Sequence, residues 1–132
     1  MDMVFNVLIS SVGKRVKLVR FFQEELKKIT AVSKVYTTEM NPRLSPAAVI
    51  SDGCFKVPRV TSNEYIDNLL EICISNNIGI IIPTIDTELL ILAENKGRFE
   101  KQGIYVMVSD FSFVQACRDK RNTGIFLSEH GI

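Results

Sequence analysis

The stretch that most constrains the fold runs from Asn77 to Glu94 and reads NIGIIIPTIDTELLILAE. Ile78 to Ile82 is a short apolar run of β-branched residues broken only by Gly79, the composition of a parallel strand covered on both faces. Pro83 stops the run. Thr84 to Glu88 then places hydroxyls and two carboxylates at the strand's carboxyl end, and Leu89 to Ala93 begins a helix that is apolar on most sides. Open α/β sheets bind ligands where buried strands give way to helices, so the polar groups of this stretch stand in the expected position for a site. The helix's apolar surface suits burial in the core, with a partner surface for further lobes as the alternative.

The rest of the chain alternates in the same way. Val4 to Ser10 (VFNVLIS) has strand composition, Ser11-Val12-Gly13 turns, and Lys14 to Ile29 carries Val16, Val19, Phe22, Leu26 and Ile29 at helical spacing. Lys34 to Thr38 is a second strand ending at Glu39. The Pro-rich Asn41 to Gly53 reads as an irregular connection with one helical turn at Pro46 to Val49. Cys54 to Val57 has the length and composition of an edge strand. Thr61 and Glu64 stand in capping-box spacing at the start of a helix to about Asn76, which should bury Ile66, Leu69, Leu70, Cys73 and Ile74. After the Ile78 to Ile82 strand, Asp86 is placed to cap a helix to about Phe99. Ile104 to Val108 is a last strand, followed by a brief helix from Ser109-Asp110 through Cys117 and another from Asp119 to Glu129. The pattern predicts a Rossmann-like three-layer α/β/α fold with a mainly parallel sheet of about five strands in the order 3-2-1-4-5. The loops Ser10 to Arg15 and Pro83 to Glu88 would then flank one crevice.

Bulk properties narrow the classes of function. With 132 residues the chain makes one domain with a proper core. Its 16 Lys+Arg against 15 Asp+Glu give no polyanion-binding excess, so nucleic acid is not an expected partner. Cys54, Cys73 and Cys117 are odd in number, far apart and set among apolar neighbours, which fits reduced thiols in a cytoplasmic protein. One histidine, His130, and the absence of Cys-x-x-Cys predict no metal site of the usual soft ligands. The start, MDMVFNVLIS, is neither signal peptide nor membrane span, so no membrane partner is expected.

Several residues could carry chemistry. Gly13-Lys14-Arg15 opens a helix, where cations oppose the macrodipole unless they are solvated or face an anion. A phosphate or carboxylate held by free N–H groups and the basic side chains explains the pattern, and a solvated first turn explains it equally. SSVGKR is neither a Walker loop nor GxGxxG. Glu39 ends the second strand, where dinucleotide-binding folds place a carboxylate on a ribose; a solvated loop acid accounts for it as well. Thr84, Asp86 and Glu88 are clustered, yet Asp86 also suits a helix cap and Glu88 a first-turn acid. Arg118, Asp119, Lys120 and Arg121 read, on charge alone, as a solvated face.

Four segments together, NVLISSVGKRVKLVRFF, IIPTIDTELLILAE, YVMVSD and CRDKRNTGIFLSEHGI, resemble the amino-terminal domain of ATP-grasp enzymes. The chain is similar in this respect to the large chain of carbamoyl phosphate synthase and to carboxylate-amine ligases. The resemblance implies a pre-ATP-grasp domain over residues 1–117, with residues 118–132 starting the connection to an ATP-grasp domain. That following domain would bind ATP and Mg²⁺ and form an acyl phosphate. The resemblance implies a substrate-side role for Gly13, Lys14, Arg15, Pro83, Thr84, Asp86 and Glu88, and an approach of Lys120 to ATP; Glu39 joins the candidate substrate-side residues through its place at the end of the second strand. No catalytic or metal-ligating residue is expected in this stretch, and no cofactor on this domain alone. The acidic Mg²⁺ ligands, glycine-rich lid and adenine pocket would lie beyond residue 132, so the expectation is a fragment without ligase activity of its own.

Expected partners are a small carboxylate, an amine and the carboxyl-terminal ATP-grasp domain of the same chain; a homodimer is among the assemblies allowed. The alternative is a non-catalytic Rossmann-like module that binds a nucleotide or anion. A phosphoacceptor receiver domain needs paired acids at the end of the first strand, where this chain has Ser10 and Ser11.

Overall fold

The computed structural model describes residues 5–108. Five strands form one sheet: β1 (Asn6–Ser10), β2 (Val35–Glu39), β3 (Gly53–Lys56), β4 (Ile78–Pro83) and β5 (Tyr105–Val106). Their order is β3-β2-β1-β4-β5 and every pairing is parallel, as the alternating pattern predicts. β1 and β4 are central neighbours, with Ile9 opposite Ile82 and Ser10 opposite Pro83. The chain leaves these two strands at one edge of the sheet, at the point where the strand order reverses.

Side-chain alternation along the strands supplies the two faces. Val7 and Ile9 of β1 pack with Val12, Val35 and Ile82 beneath α1 (Val16–Ile29) and α2 (Pro46–Ile50), where Val19, Leu26, Ala47 and Ala48 complete the cluster. Leu8 and Ile81 face the other way. They join Tyr65, Ile66, Leu69, Leu92, Phe99 and Val106 in a second cluster beneath α3 (Tyr65–Ser75), α4 (Asp86–Glu94) and α5 (Lys96–Glu100). The result is the three-layer arrangement, with central strands buried from both sides because each of their faces meets a helix layer.

Several local expectations shift. The α3 helix begins at Tyr65 rather than in the Thr61 capping box, and Glu64 makes no side-chain cap. The Ser62 hydroxyl instead accepts the Glu64 N–H at 3.2 Å, a local turn that competes with an earlier helix start. Asp86 is the first helical residue of α4 and not its cap; Ile85 holds the cap position without a side-chain bond. The helix expected to reach Phe99 breaks at Asn95, whose side-chain amide donates to the Ile91 carbonyl at 2.8 Å, and resumes as α5. Ile74 and Ile29 are exposed, while the strand expected over Ile104 to Val108 shortens to two residues. Leu92 is the fully buried residue of the apolar α4 run; Leu89, Leu90, Ile91 and Ala93 are half-buried. The helices expected after Ser109, together with Cys117, Lys120 and His130, lie outside the described residues. Among the described residues, no helix is long and apolar enough to cross a membrane, and Cys54 and Cys73 are free thiols.

Candidate functional site

The β1–α1 turn is a corner assembled from four directions. Ser11 and Gly13 both adopt left-handed backbone conformations, with φ of 50° and 53°. Glycine enters that region freely, whereas a serine there costs roughly 1–2 kcal/mol and needs surrounding contacts to hold it. Those contacts are present. The Thr84 hydroxyl donates to the carbonyls of Ser10 at 2.9 Å and Ser11 at 2.6 Å. The Ser11 N–H donates to Thr38 Oγ1 at 3.3 Å, and its hydroxyl donates to Glu88 Oε1 at 2.7 Å. Gly13 gives its N–H to Glu39 Oε1 at 2.6 Å. Its carbonyl accepts the Ser45 hydroxyl at 2.5 Å and the Ala47 N–H at 3.4 Å.

Four of the predicted site residues therefore build the corner: Gly13, Glu39, Thr84 and Glu88. Glu39 occupies the Gly13 amide instead of standing free at the end of β2. Thr84 uses its hydroxyl hydrogen on the β1 end. Glu88 has no exposed surface, and its carboxylate is enclosed by the hydroxyls of Ser10 (3.0 Å), Ser11 and Tyr65. A ligand-facing Glu88 is thus replaced by a buried acceptor, because α4 turns its first-turn face toward the end of β1. Burial, and after it the adjacent Glu88 carboxylate, drives the Tyr65 phenol well above the usual tyrosine range.

Of the remaining predicted residues, Lys14, Arg15 and Asp86 are exposed and Pro83 is not. Lys14 and Arg15 are exposed, and the Arg15 guanidinium donates to the Thr84 carbonyl at 2.9 Å, bridging the two loops directly. Asp86 is exposed in the first turn of α4, and Pro83 is half-buried at the end of β4. An open cleft of about 930 Å³ runs along the corner, lined by residues 11–18 and Ile85. Lys14, Arg15 and Lys17 bring three cations to its wall, whereas Glu39, Pro83, Thr84, Asp86 and Glu88 are not part of it. The two predicted loops thus meet at one sheet edge, and the cleft belongs mainly to the first of them.

Ser10, Ser11, Thr38, Ser45 and Tyr65 were not predicted as site-building residues. Only Ser45 carries a local signal, a serine directly before Pro46, which is the pattern of a helix cap followed by proline in the first turn; its hydroxyl accepts the Ala48 N–H at 3.1 Å.

Residues 7–107 match the family described as PylC-like, N-terminal domain. The chain belongs to that family. The resemblance to the amino-terminal domain of ATP-grasp enzymes, drawn from the four sequence segments, holds. No match was found among curated proteins.

Solved structures share the fold of this PylC-like domain. The biotin carboxylase subunit of pyruvate carboxylase superposes with a TM-score of 0.69 at 14% identity, over 98% of this chain and 28% of that one. The L-amino acid ligase from Bacillus licheniformis gives a TM-score of 0.63 at 18% identity, over 100% of this chain and 32% of that one. The biotin carboxylase domain dimer of 2-oxoglutarate carboxylase from Hydrogenobacter thermophilus, in complex with MgADP, ADP and bicarbonate, gives 0.67 at 12% identity, over 100% and 28%. At these identities the likeness is one of fold, and the PylC-like chain spans about a third or less of each of those proteins.

Proposed function

We propose that this chain is the substrate-side amino-terminal domain of an ATP-dependent ligase, which activates a carboxylate as an acyl phosphate and passes it to an amine. The observation that carries the reading is the bridged corner: Arg15 and Thr84 join the two loops of a PylC-like domain at the switch point of its sheet. Lys14 and Arg15 neutralise the carboxylate or phosphate of the substrate at the cleft. Gly13 lets the backbone turn beside it. Asp86, exposed next to Thr84, is the acid available to an incoming amine, while Pro83, Thr84, Glu39 and Glu88 shape the corner that presents these groups.

ATP and Mg²⁺ are assigned to a following ATP-grasp domain. Among the described residues no three His, Cys, Asp or Glu side chains come together to hold a metal ion. Lys120, which the sequence resemblance brings toward ATP, lies outside the described residues. Phosphoryl transfer depends on positioning and charge neutralisation, and residues 1–117 taken as a separate domain supply only the substrate's side of that arrangement. On this reading the domain alone releases no ADP. The sequence resemblance to the carbamoyl phosphate synthase large chain supports this arrangement, and free thiols at Cys54 and Cys73 suit the cytoplasm.

The test is ADP release by the full-length protein with Mg²⁺-ATP and pooled carboxylates and amines. We expect release that requires one acid and one amine, and that falls at least about tenfold in Arg15→Met, equivalent to roughly 1.4 kcal/mol of lost transition-state stabilisation. A folded full-length protein that releases no ADP with any pair overturns the reading.

A further inference from the structure

Glu88 is, among the described residues, the one charged side chain that is fully buried. The described ion pairs, Lys28–Glu25 and Arg98–Asp67, lie elsewhere. A buried carboxylate without a cation is unfavourable, and an apolar side chain would fill the same space more cheaply if packing were its whole purpose. Its three donors come from three separate places: the last residue of β1, the left-handed Ser11 of the turn, and the first residue of α3. Oε2 takes Ser10, while Oε1 takes Ser11 and Tyr65 together. Aspartate at this position is one methylene shorter, and an apolar residue accepts nothing.

We propose that Glu88 is the positioning residue of the β1–α1 corner. Its carboxylate holds Ser11 in the left-handed conformation, and so sets where the following Lys14 and Arg15 stand. Tyr65 is the third point of the clasp and ties α3 to the same carboxylate. The role deepens the proposed reading of the corner and rests on it for its consequence in substrate binding. The device itself is a property of the fold and is measurable without turnover.

The experiment follows backbone amide hydrogen exchange by ¹⁵N NMR in the full-length protein, comparing Glu88→Ala and Glu88→Gln with the parent. The informative amides are those of Val12, bonded to the Thr38 carbonyl, and Gly13, bonded to Glu39. Leu8 and Ile81, on the central strands, report on the sheet. In Glu88→Ala, Val12 and Gly13 should exchange roughly tenfold faster or more while Leu8 and Ile81 keep their rates, because the lost acceptor frees the turn and leaves the sheet paired. Glu88→Gln, which retains two polar atoms and whose amide can donate to Ser10, should restore most of the protection. Unchanged rates at Val12 and Gly13, or an equal acceleration at all four amides, overturns the proposal; the second result would mean that Glu88 only stabilises the whole fold. Should Glu88→Ala fail to fold, Ser11→Ala removes one arm of the clasp, and the same four amides decide on the same criteria. Failure of the ligase assay leaves these outcomes intact, and the reverse also holds.

Discussion

Replacing Tyr65 by phenylalanine removes a single oxygen from the centre of the protein. The ring is fully buried in the cluster beneath α3 and α4, so phenylalanine keeps the packing and opens no cavity. What disappears is a buried hydrogen bond to the Glu88 carboxylate, worth about 1.5–3 kcal/mol, partly offset because the phenol no longer has to be desolvated. A net loss of about 2 kcal/mol at pH 7 follows. For a chain of this size that corresponds to a fall in Tm of roughly 5–10 °C.

The pH dependence has a definite sign. The folded state raises the Tyr65 pKa, through burial first and the Glu88 carboxylate second. Below the unfolded tyrosine value of about 10 the contribution is fully present; above it the unfolded chain ionises while the folded one does not, and stability falls by about 1.4 kcal/mol per pH unit. Phenylalanine has no such loss. The gap between the parent and Tyr65→Phe should therefore close at about one to one and a half units above the unfolded value, near pH 11 to 11.5. Urea denaturation followed by circular dichroism at pH 7, 9, 10.5 and 11.5 measures it, with Tyr105→Phe, at an exposed position, as a control expected within about 0.5 kcal/mol of the parent. A Tyr65→Phe protein as stable as the parent at pH 7, or a gap that widens above pH 10, refutes the reasoning.

Two further outcomes are expected. Ser45→Ala removes both the helix cap to Ala48 and the bond to the Gly13 carbonyl, and should cost about 1–2 kcal/mol in the same urea assay. Burial pushes the Cys73 thiol up to about 12, so it should resist a disulfide reagent at pH 8 in the folded protein and react once denatured; its contribution is present below the unfolded thiol value near 9 and is lost between there and about 12. Cys73→Ala should flatten that part of the alkaline decline.

The sheet was legible because its strands announce themselves locally. Ile78 to Ile82 and Val4 to Ser10 are apolar runs closed by Pro83 and by the Ser11-Val12-Gly13 turn, and alternation with helices leaves few topologies. That the two loops share an edge was legible for the same reason, since it follows from strand order. The bonds within the corner were not. Glu88 meets Ser10, Ser11 and Tyr65 across 78, 77 and 23 positions, and no periodicity connects residues so far apart. Glu88 shows the limit well: a carboxylate in a first turn normally faces solvent and favours the helix dipole, and nothing in TIDTELL distinguishes that from burial.

The sequence by itself determined the alternation of strands and helices, the strand order and the two turns at which polar groups gather, because hydrophobic period and turn chemistry are written within a dozen neighbouring residues. Only the tertiary structure decided which of those polar groups remain available. Packing brought the carboxylates of Glu39 and Glu88 onto donors from other elements and left Lys14, Arg15 and Asp86 exposed. A side chain's partner depends on which elements fold beside it, and that is settled when the layers close and most polar groups moved out of water find a partner.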